Sequence, residues 1–135
     1  MRIFLGTNVL VSAFASRGIG ADLFELVLLE HELIVGRNLL RELGKVLREK
    51  IKLPGARAAE LIDFVAGEAA IVVEKAEPVA AKVDADDALV LGEASLGRAD
   101  MFVTGDAALA RRGTVHGLRI VSPRQFWEAL HGKPR

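Results

Sequence analysis

The chain has 135 residues, of which 51% are hydrophobic, so its length predicts one domain with a sizeable buried core. Eighteen Lys and Arg balance eighteen Asp and Glu, and this zero net charge gives no general attraction to nucleic acid. The absence of cysteine excludes disulfides and thiolate metal sites and fits a cytoplasmic protein, which is the location that we expect.

Hydropathy adds expectations about partners. No apolar run approaches the roughly 18 residues of a membrane span, and the N-terminus enters a strand-like segment without the pattern of a secretory signal. The mean hydropathy of +0.30 is high for a monomer. It indicates an apolar face covered by a partner or by a second copy, so we expect a homodimer and no membrane association.

Short apolar runs alternate with longer amphipathic segments along the whole chain. Strands are predicted at residues 3–5, 33–35, 71–73, 101–103 and 118–121. Helices are predicted at residues 7–15, 21–31, 38–50, 54–68, 84–96 and 107–112, and from residue 122 onward. This alternation predicts an α/β fold with a mainly parallel sheet of about five strands, covered on both faces.

Helix starts carry recognisable caps. Thr7 or Asn8 is expected to cap the first helix and Asn38 the third. Ser122 followed by Pro123 opens the last helix. Three residues of that helix are expected to point inward: Phe126, Trp127 and Leu130.

The first strand turns directly into a helix at Gly6-Thr7-Asn8. Such turns lie at the carboxyl edge of a parallel sheet, where α/β proteins place their chemistry, and the strand end at Thr104 should lie on the same edge. A carboxylate at position 6 would complete an acidic cluster there, but glycine has no side-chain oxygen. The alternative interpretation is that Gly6 supplies backbone freedom at the turn.

Glu42 lies at the margin of an apolar helical stripe, between Leu39 and Leu43 on one side and the outward Arg41 on the other. A carboxylate beside a buried face needs a partner or a metal ion. On spacing alone, a surface ion pair with Lys45 or Lys50 is favoured.

Three aspartates open the predicted fifth helix. Their repulsion calls for a cation or an arginine nearby, although Asp at a helix start also complements the helix dipole. Asp87 lies on the inward face and is our choice of ligand, whereas Asp84 and Asp86 are interpreted as capping or outer groups.

Asp106 follows Thr104-Gly105 directly after a strand. It is either the cap of a short helix or a metal ligand oriented by the Thr104 hydroxyl. Carboxylates without Cys or His suit Mg²⁺ or Mn²⁺, and clusters of them support metal-assisted phosphodiester hydrolysis. The three histidines show no metal-ligand spacing.

The chain resembles the PIN-domain family, in the form found as the toxin of VapC-type toxin–antitoxin pairs. The resemblance spans essentially the whole chain. It is carried by five segments: residues 1–13, Leu40-Arg41-Glu42-Leu43, Asp84-Ala85-Asp86-Asp87, Val103-Thr104-Gly105-Asp106, and Ile120 to Phe126.

That resemblance implies a three-layer α/β/α fold, a Mg²⁺- or Mn²⁺-dependent ribonuclease acting on RNA, and a partner antitoxin that covers a hydrophobic groove. Glu42, Asp87 and Asp106 match the family's acidic positions, and Asn8 and Thr104 match accessory polar positions. Four further residues are our candidates for RNA contact, as cations near the predicted edge: Arg17, Arg37, Arg111 and Arg112.

Gly6 departs from the family pattern, which has its first aspartate at this position. We therefore expect impaired catalysis, and the intact set of other acids favours an inactivating substitution over long drift. The alternative is a non-catalytic module that binds RNA or a partner through the acidic pocket. A receiver-like signalling domain is disfavoured, because Gly6-Thr7-Asn8 lacks the acidic pair that such a domain needs after its first strand.

Overall fold

The computed structural model describes residues 1–16 and 18–132. Its strands are β1 (Arg2–Leu5), β2 (Glu32–Gly36), β3 (Ile71–Val73), β4 (Met101–Val103), β5 (Thr114–Val115) and β6 (Leu118–Val121). Its helices are α1 (Thr7–Ala15), α2 (Ile19–Glu30), α3 (Arg37–Glu49), α4 (Gly55–Glu68), α5 (Ala85–Leu96), α6 (Ala107–Arg111) and α7 (Pro123–Leu130).

The strands form one sheet in the order β3-β2-β1-β4-β6-β5. Five strands run parallel, as predicted, and β5 pairs with β6 in the antiparallel sense. The sequence prediction missed β5. It has only two residues and is held by a tight turn at His116-Gly117, where both residues have positive φ, as short hairpins require.

Both faces of the sheet are covered. Ile3, Phe4 and Leu5 follow one another on β1 and all three are fully buried. Successive strand residues point to opposite faces, so helices must pack on both sides, and the predicted three-layer α/β/α fold is confirmed.

The chain changes direction across the sheet at β1. From β1 it moves outward through β2 to β3, then returns to place β4 on the other side of β1. The Gly6 N–H donates to the Val103 carbonyl at 2.8 Å, immediately beyond the Leu5–Val103 register pair. Gly6 and Thr104 therefore lie side by side at the carboxyl edge, as predicted, at the point where such sheets open a crevice.

Two of the predicted caps are wrong. Gly6 is the N-cap of α1 and makes no side-chain cap, while Thr7 and Asn8 lie inside the helix. Gly36 is the N-cap of α3, and Asn38 lies inside its first turn. The capping bonds of α3 come instead from the distant Glu93 carboxylate.

The last helix begins as predicted. Ser122 and Gln125 form a reciprocal capping box, with Pro123 at the first helical position. Phe126 is fully buried, and Trp127 and Leu130 pack against the core while partly exposed. In the described part of the chain, none of the helices has both the length and the apolar character needed to cross a membrane.

Candidate active site

A pocket of about 190 Å³ lies at the carboxyl ends of β1 and β4. It is lined by both strand ends, by α3 and by the start of α5. Its polar lining residues are Thr7, Asn8, Glu42, Lys50, Asp87, Thr104 and Asp106, and Gly6 lies among them. The structure thus brings together the acids that the sequence placed on three separate elements.

Electrostatic repulsion links these acids. The pKa of Asp87 is raised to about 6, first by burial and then by the negative charges of Asp84, Asp106 and Glu42. A carboxyl group whose pKa is raised by burial and by neighbouring acids marks a place where negative charge is concentrated.

Asp106 is held by backbone groups. One of its carboxylate oxygens accepts from the Ala108 N–H at 2.9 Å and the Leu109 N–H at 3.2 Å, which makes it the N-cap of α6. Its own N–H donates to the buried Thr104 hydroxyl at 3.0 Å. Asp106 can therefore cap α6 and also be a metal ligand, the two roles predicted for it, because capping engages only one of its two carboxylate oxygens.

Glu42 accepts a short hydrogen bond from the Thr7 hydroxyl. The ion pair with Lys45 or Lys50 that spacing favoured does not form among the described residues. Thr7 was expected only as a cap. Its placement as the first residue of α1, directly after the strand end, is what aims its side chain at α3.

Asp84 and Asp86 lie outside the acidic pocket. Asp84 caps α5 by accepting from the Asp87 N–H at 2.9 Å, as its position predicted. Asp86 is exposed and lines a neighbouring cleft between α3 and α5.

The backbone conformation at position 6 does not require glycine. Its φ of −67° and ψ of 164° are ordinary extended values, so the interpretation as a source of backbone freedom is wrong. A Cβ atom built there would lie 3.1 Å from the Val103 carbonyl oxygen and 3.7 Å from the Phe102 ring. A small shift of a few tenths of an ångström would admit an L-amino acid.

The carboxylate and hydroxyl oxygens of the pocket fit a hard cation in kind, although the Lys50 ammonium also lines it. Their arrangement does not complete a cation site, because within residues 1–16 and 18–132 no three acidic or imidazole side chains are grouped closely enough to hold one ion. Gly6 is the position from which a further carboxylate would enter the pocket, and it offers none.

The predicted RNA-contact arginines are not brought into this pocket. Arg37 pairs with Glu74 at 2.8 Å, and Arg112 donates to the Lys82 carbonyl at 2.9 Å. Arg111 is exposed at the end of α6, and Arg17 lies outside the described residues. Sequence reasoning missed Lys50, which lines the pocket from the end of α3.

The raised pKa of Asp87 predicts how stability changes with pH. Because this pKa is about 6 in the folded chain and 3.8 ordinarily, the stability lost to ionisation of Asp87 is absent below about pH 4, grows between about pH 4 and pH 6, and is complete above about pH 6. Asp87→Asn should raise the free energy of unfolding by roughly 1 kcal/mol at pH 8, after allowance for solvent screening.

Urea unfolding at pH 4 to 8 in the presence of a chelator measures this gain. The control is Asp63→Asn, which removes an exposed carboxylate on α4. A gain that is equal at pH 4 and pH 8 would show that folding does not raise the pKa of Asp87.

Two comparisons with known proteins, against family models and against solved structures, give matches. A family model described as PIN domain matches residues 2–108. The fold is similar to a chain in the crystal structure of VapBC2 from Rickettsia felis bound to a promoter DNA fragment, with a TM-score of 0.65 and 17% identity. That match covers 90% of this chain and 98% of the other. A search of the curated proteins found no match.

The family match spans β1 to the start of α6, which are the elements that enclose the acidic pocket. The structural match extends the likeness over most of the chain, and at 17% identity it supports the fold alone. This chain belongs to the PIN domain family.

Proposed function

We propose that this chain is a VapC-type toxin scaffold, a Mg²⁺- or Mn²⁺-dependent endoribonuclease whose catalysis is impaired by Gly6. The proposal is carried by one observation: Glu42, Asp87 and Asp106 line a single pocket that also contains position 6. The PIN domain match supports the nuclease class, and we propose the toxin–antitoxin context by analogy with VapBC2, whose fold is similar.

Each side chain has a proposed task. Asp87 and Asp106 would hold the cation through their free oxygens, and Glu42, oriented by the Thr7 hydroxyl, would complete the set. Thr104 fixes the backbone of Asp106, and the exposed Asn8 amide stands at the mouth of the pocket. When bound, the ion would act as a Lewis acid on the phosphodiester and activate water.

Gly6 explains why this chain should be a weak catalyst. A carboxylate at position 6, the N-cap of α1, would face the same pocket as the other acids, whereas glycine contributes only backbone atoms there. Without it, the site has one ligand and one negative charge fewer for a divalent ion. Loss of such a ligand lowers the rate by roughly a thousandfold or more.

A cleft next to the acidic pocket offers bound RNA a path out of that pocket. This cleft of about 400 Å³ between α3 and α5 shares Glu42, Val46, Lys50 and Val90 with the acidic pocket. Its cations are Arg41, Lys45 and Lys50, none of which forms an ion pair in the described part of the chain, and three acids, Glu42, Glu49 and Asp86, also line it. We place the RNA phosphates on these cations rather than on Arg37, Arg111 or Arg112.

A partner protein is part of the proposal. Phe14, Phe24 and Phe64 form an aromatic cluster where α1, α2 and α4 meet, with ring centroids 5.4 to 6.5 Å apart. Phe64 is 46% exposed and Ile19 is 44% exposed. An apolar surface of this kind suits a cognate antitoxin, in keeping with the VapBC2 likeness.

A second candidate function is a non-catalytic module. It is favoured by the absence, among the described residues, of three acids close enough to hold one ion. In that case the negative pocket would accept an arginine from a partner peptide.

The substitution Gly6→Asp tests the catalytic proposal. It should give Mn²⁺- or Mg²⁺-dependent cleavage of single-stranded RNA at a rate about a thousandfold above that of the present chain. A fluorescence-quenched RNA substrate, with chelator as a parallel condition, measures the rate.

Gly6→Asn is the matched control, because Asn has the same size and can also cap α1 but carries no charge. It should fold equally well and remain inactive. If Gly6→Asp folds but cuts no RNA with either metal, the chain is not an impaired nuclease, and the binding module becomes the better account.

The cleft predicts how the present chain binds RNA, which can be measured without cleavage because Gly6 suppresses it. Lys45→Ala/Lys50→Ala should weaken binding of a fluorescent oligonucleotide at least about tenfold and reduce the slope of log K against log salt by about 1.4. Arg57→Ala/Arg124→Ala removes two exposed charges on α4 and α7 and should leave affinity unchanged. Equal losses in both double variants would remove the cleft from the proposal.

A further inference from the structure

Glu93 is a charged side chain with no access to solvent. It lies on α5 and is 0% exposed. Burial raises its pKa, and hydrogen bonds from the Asn38 and Leu39 backbone oppose that rise. A buried carboxylate is tolerated only where hydrogen bonds replace its water, so its partners define its task.

Those partners are the first N–H groups of another helix. Glu93 Oε2 accepts from the Asn38 N–H at 2.6 Å, and Oε1 accepts from the Leu39 N–H at 3.1 Å. Both groups belong to the first turn of α3, where backbone donors are unpaired and the helix dipole is positive. Glu93 therefore acts as the N-terminal cap of a helix more than fifty residues away in the chain.

Gly36 makes room for this contact. A Cβ atom at position 36 would overlap the Glu93 carboxylate carbon and both of its oxygens. The φ of Gly36 is −138°, which any residue can adopt, so the need for glycine here is one of space alone. Gly36 and Glu93 therefore form a pair, in which the missing side chain of Gly36 leaves the space that the Glu93 carboxylate occupies.

This pair joins the two helices that carry site acids. Asp87 lies on α5 about two turns before Glu93, and Glu42 lies on α3 about one turn beyond Asn38 and Leu39. We propose that Glu93 is a positioning residue, which fixes α3 against α5 so that Glu42 faces Asp87. Its effect on metal binding rests on the function proposed above, whereas its effect on helix placement does not.

Spin labels can measure the helix placement directly. The chain has no cysteine, so Arg48→Cys/Ser95→Cys introduces one exposed label on α3 and one on α5. Glu93→Gln keeps the side-chain shape but can accept only one of the two hydrogen bonds. It should broaden or shift the distance distribution between the labels.

Gly36→Ala tests the same contact independently, because its added methyl group displaces the Glu93 carboxylate from the start of α3 without removing that carboxylate. Gly67→Ala is the matched control, since a Cβ at that exposed position on α4 meets nothing within 4 Å. Glu93→Ala/Gly36→Ala should be non-additive in urea unfolding, because the methyl group no longer meets a carboxylate. An unchanged label distance in Glu93→Gln and Gly36→Ala, with lower stability, would reduce Glu93 to a purely structural role and overturn the proposal.

The metal consequence has its own readout. In a Gly6→Asp background, Glu93→Gln should weaken Mn²⁺ affinity about tenfold, as loss of a ligand-supporting contact typically does. If Gly6→Asp alone binds no Mn²⁺, the proposed function fails, while the label distances still decide the role of Glu93. If Mn²⁺ binds and Glu93→Gln leaves its affinity unchanged, the positioning role toward the site is wrong.

Discussion

The parallel pairing of β1 with β4 is the contact on which the candidate site depends. These strands are far apart in sequence, and their register places Leu5 beside Val103. The next residues, Gly6 and Thr104, then lie together at the carboxyl edge. Asp106 follows Thr104 by two residues in the segment after β4, and helices bring Thr7, Glu42 and Asp87 to the same point. The chemistry of the molecule is therefore decided by what the two strand ends present.

What they present is concentrated negative charge, because the acids outnumber the single Lys50 that lines the same pocket. Asp106, Glu42 and Asp87 line one small pocket, and the raised pKa of Asp87 reflects burial first and the charges of Asp84, Asp106 and Glu42 second. The fold retains this arrangement because other contacts hold the acids in place: Thr7 binds Glu42, the α6 backbone binds Asp106, and Glu93 holds α3 against α5. We propose that Gly6 leaves this site one carboxylate short.

The sequence predicted the α/β fold, the parallel sheet and the shared edge, because apolar periodicity and strand-end position are local signals. It also identified the acids that meet there. It could not predict contacts between distant segments. The Glu93 cap of α3, the Thr7 bond to Glu42 and the pairing of Arg37 with Glu74 depend on packing that no local pattern encodes. Likewise, the reason for a glycine is seen only in the folded chain: Gly36 leaves space for a carboxylate, whereas at Gly6 a Cβ atom would need only a small shift of the backbone.

The central claim is that the pocket is a carboxylate cation site from which position 6 withholds a ligand. Calorimetric titration of Mn²⁺ into the Gly6→Asp and Gly6→Asn proteins tests it most directly. The account predicts that Gly6→Asp binds Mn²⁺ at least about tenfold more tightly than Gly6→Asn, because only the former adds a charged oxygen donor to the acids already present. Equal affinities in two folded proteins would contradict it.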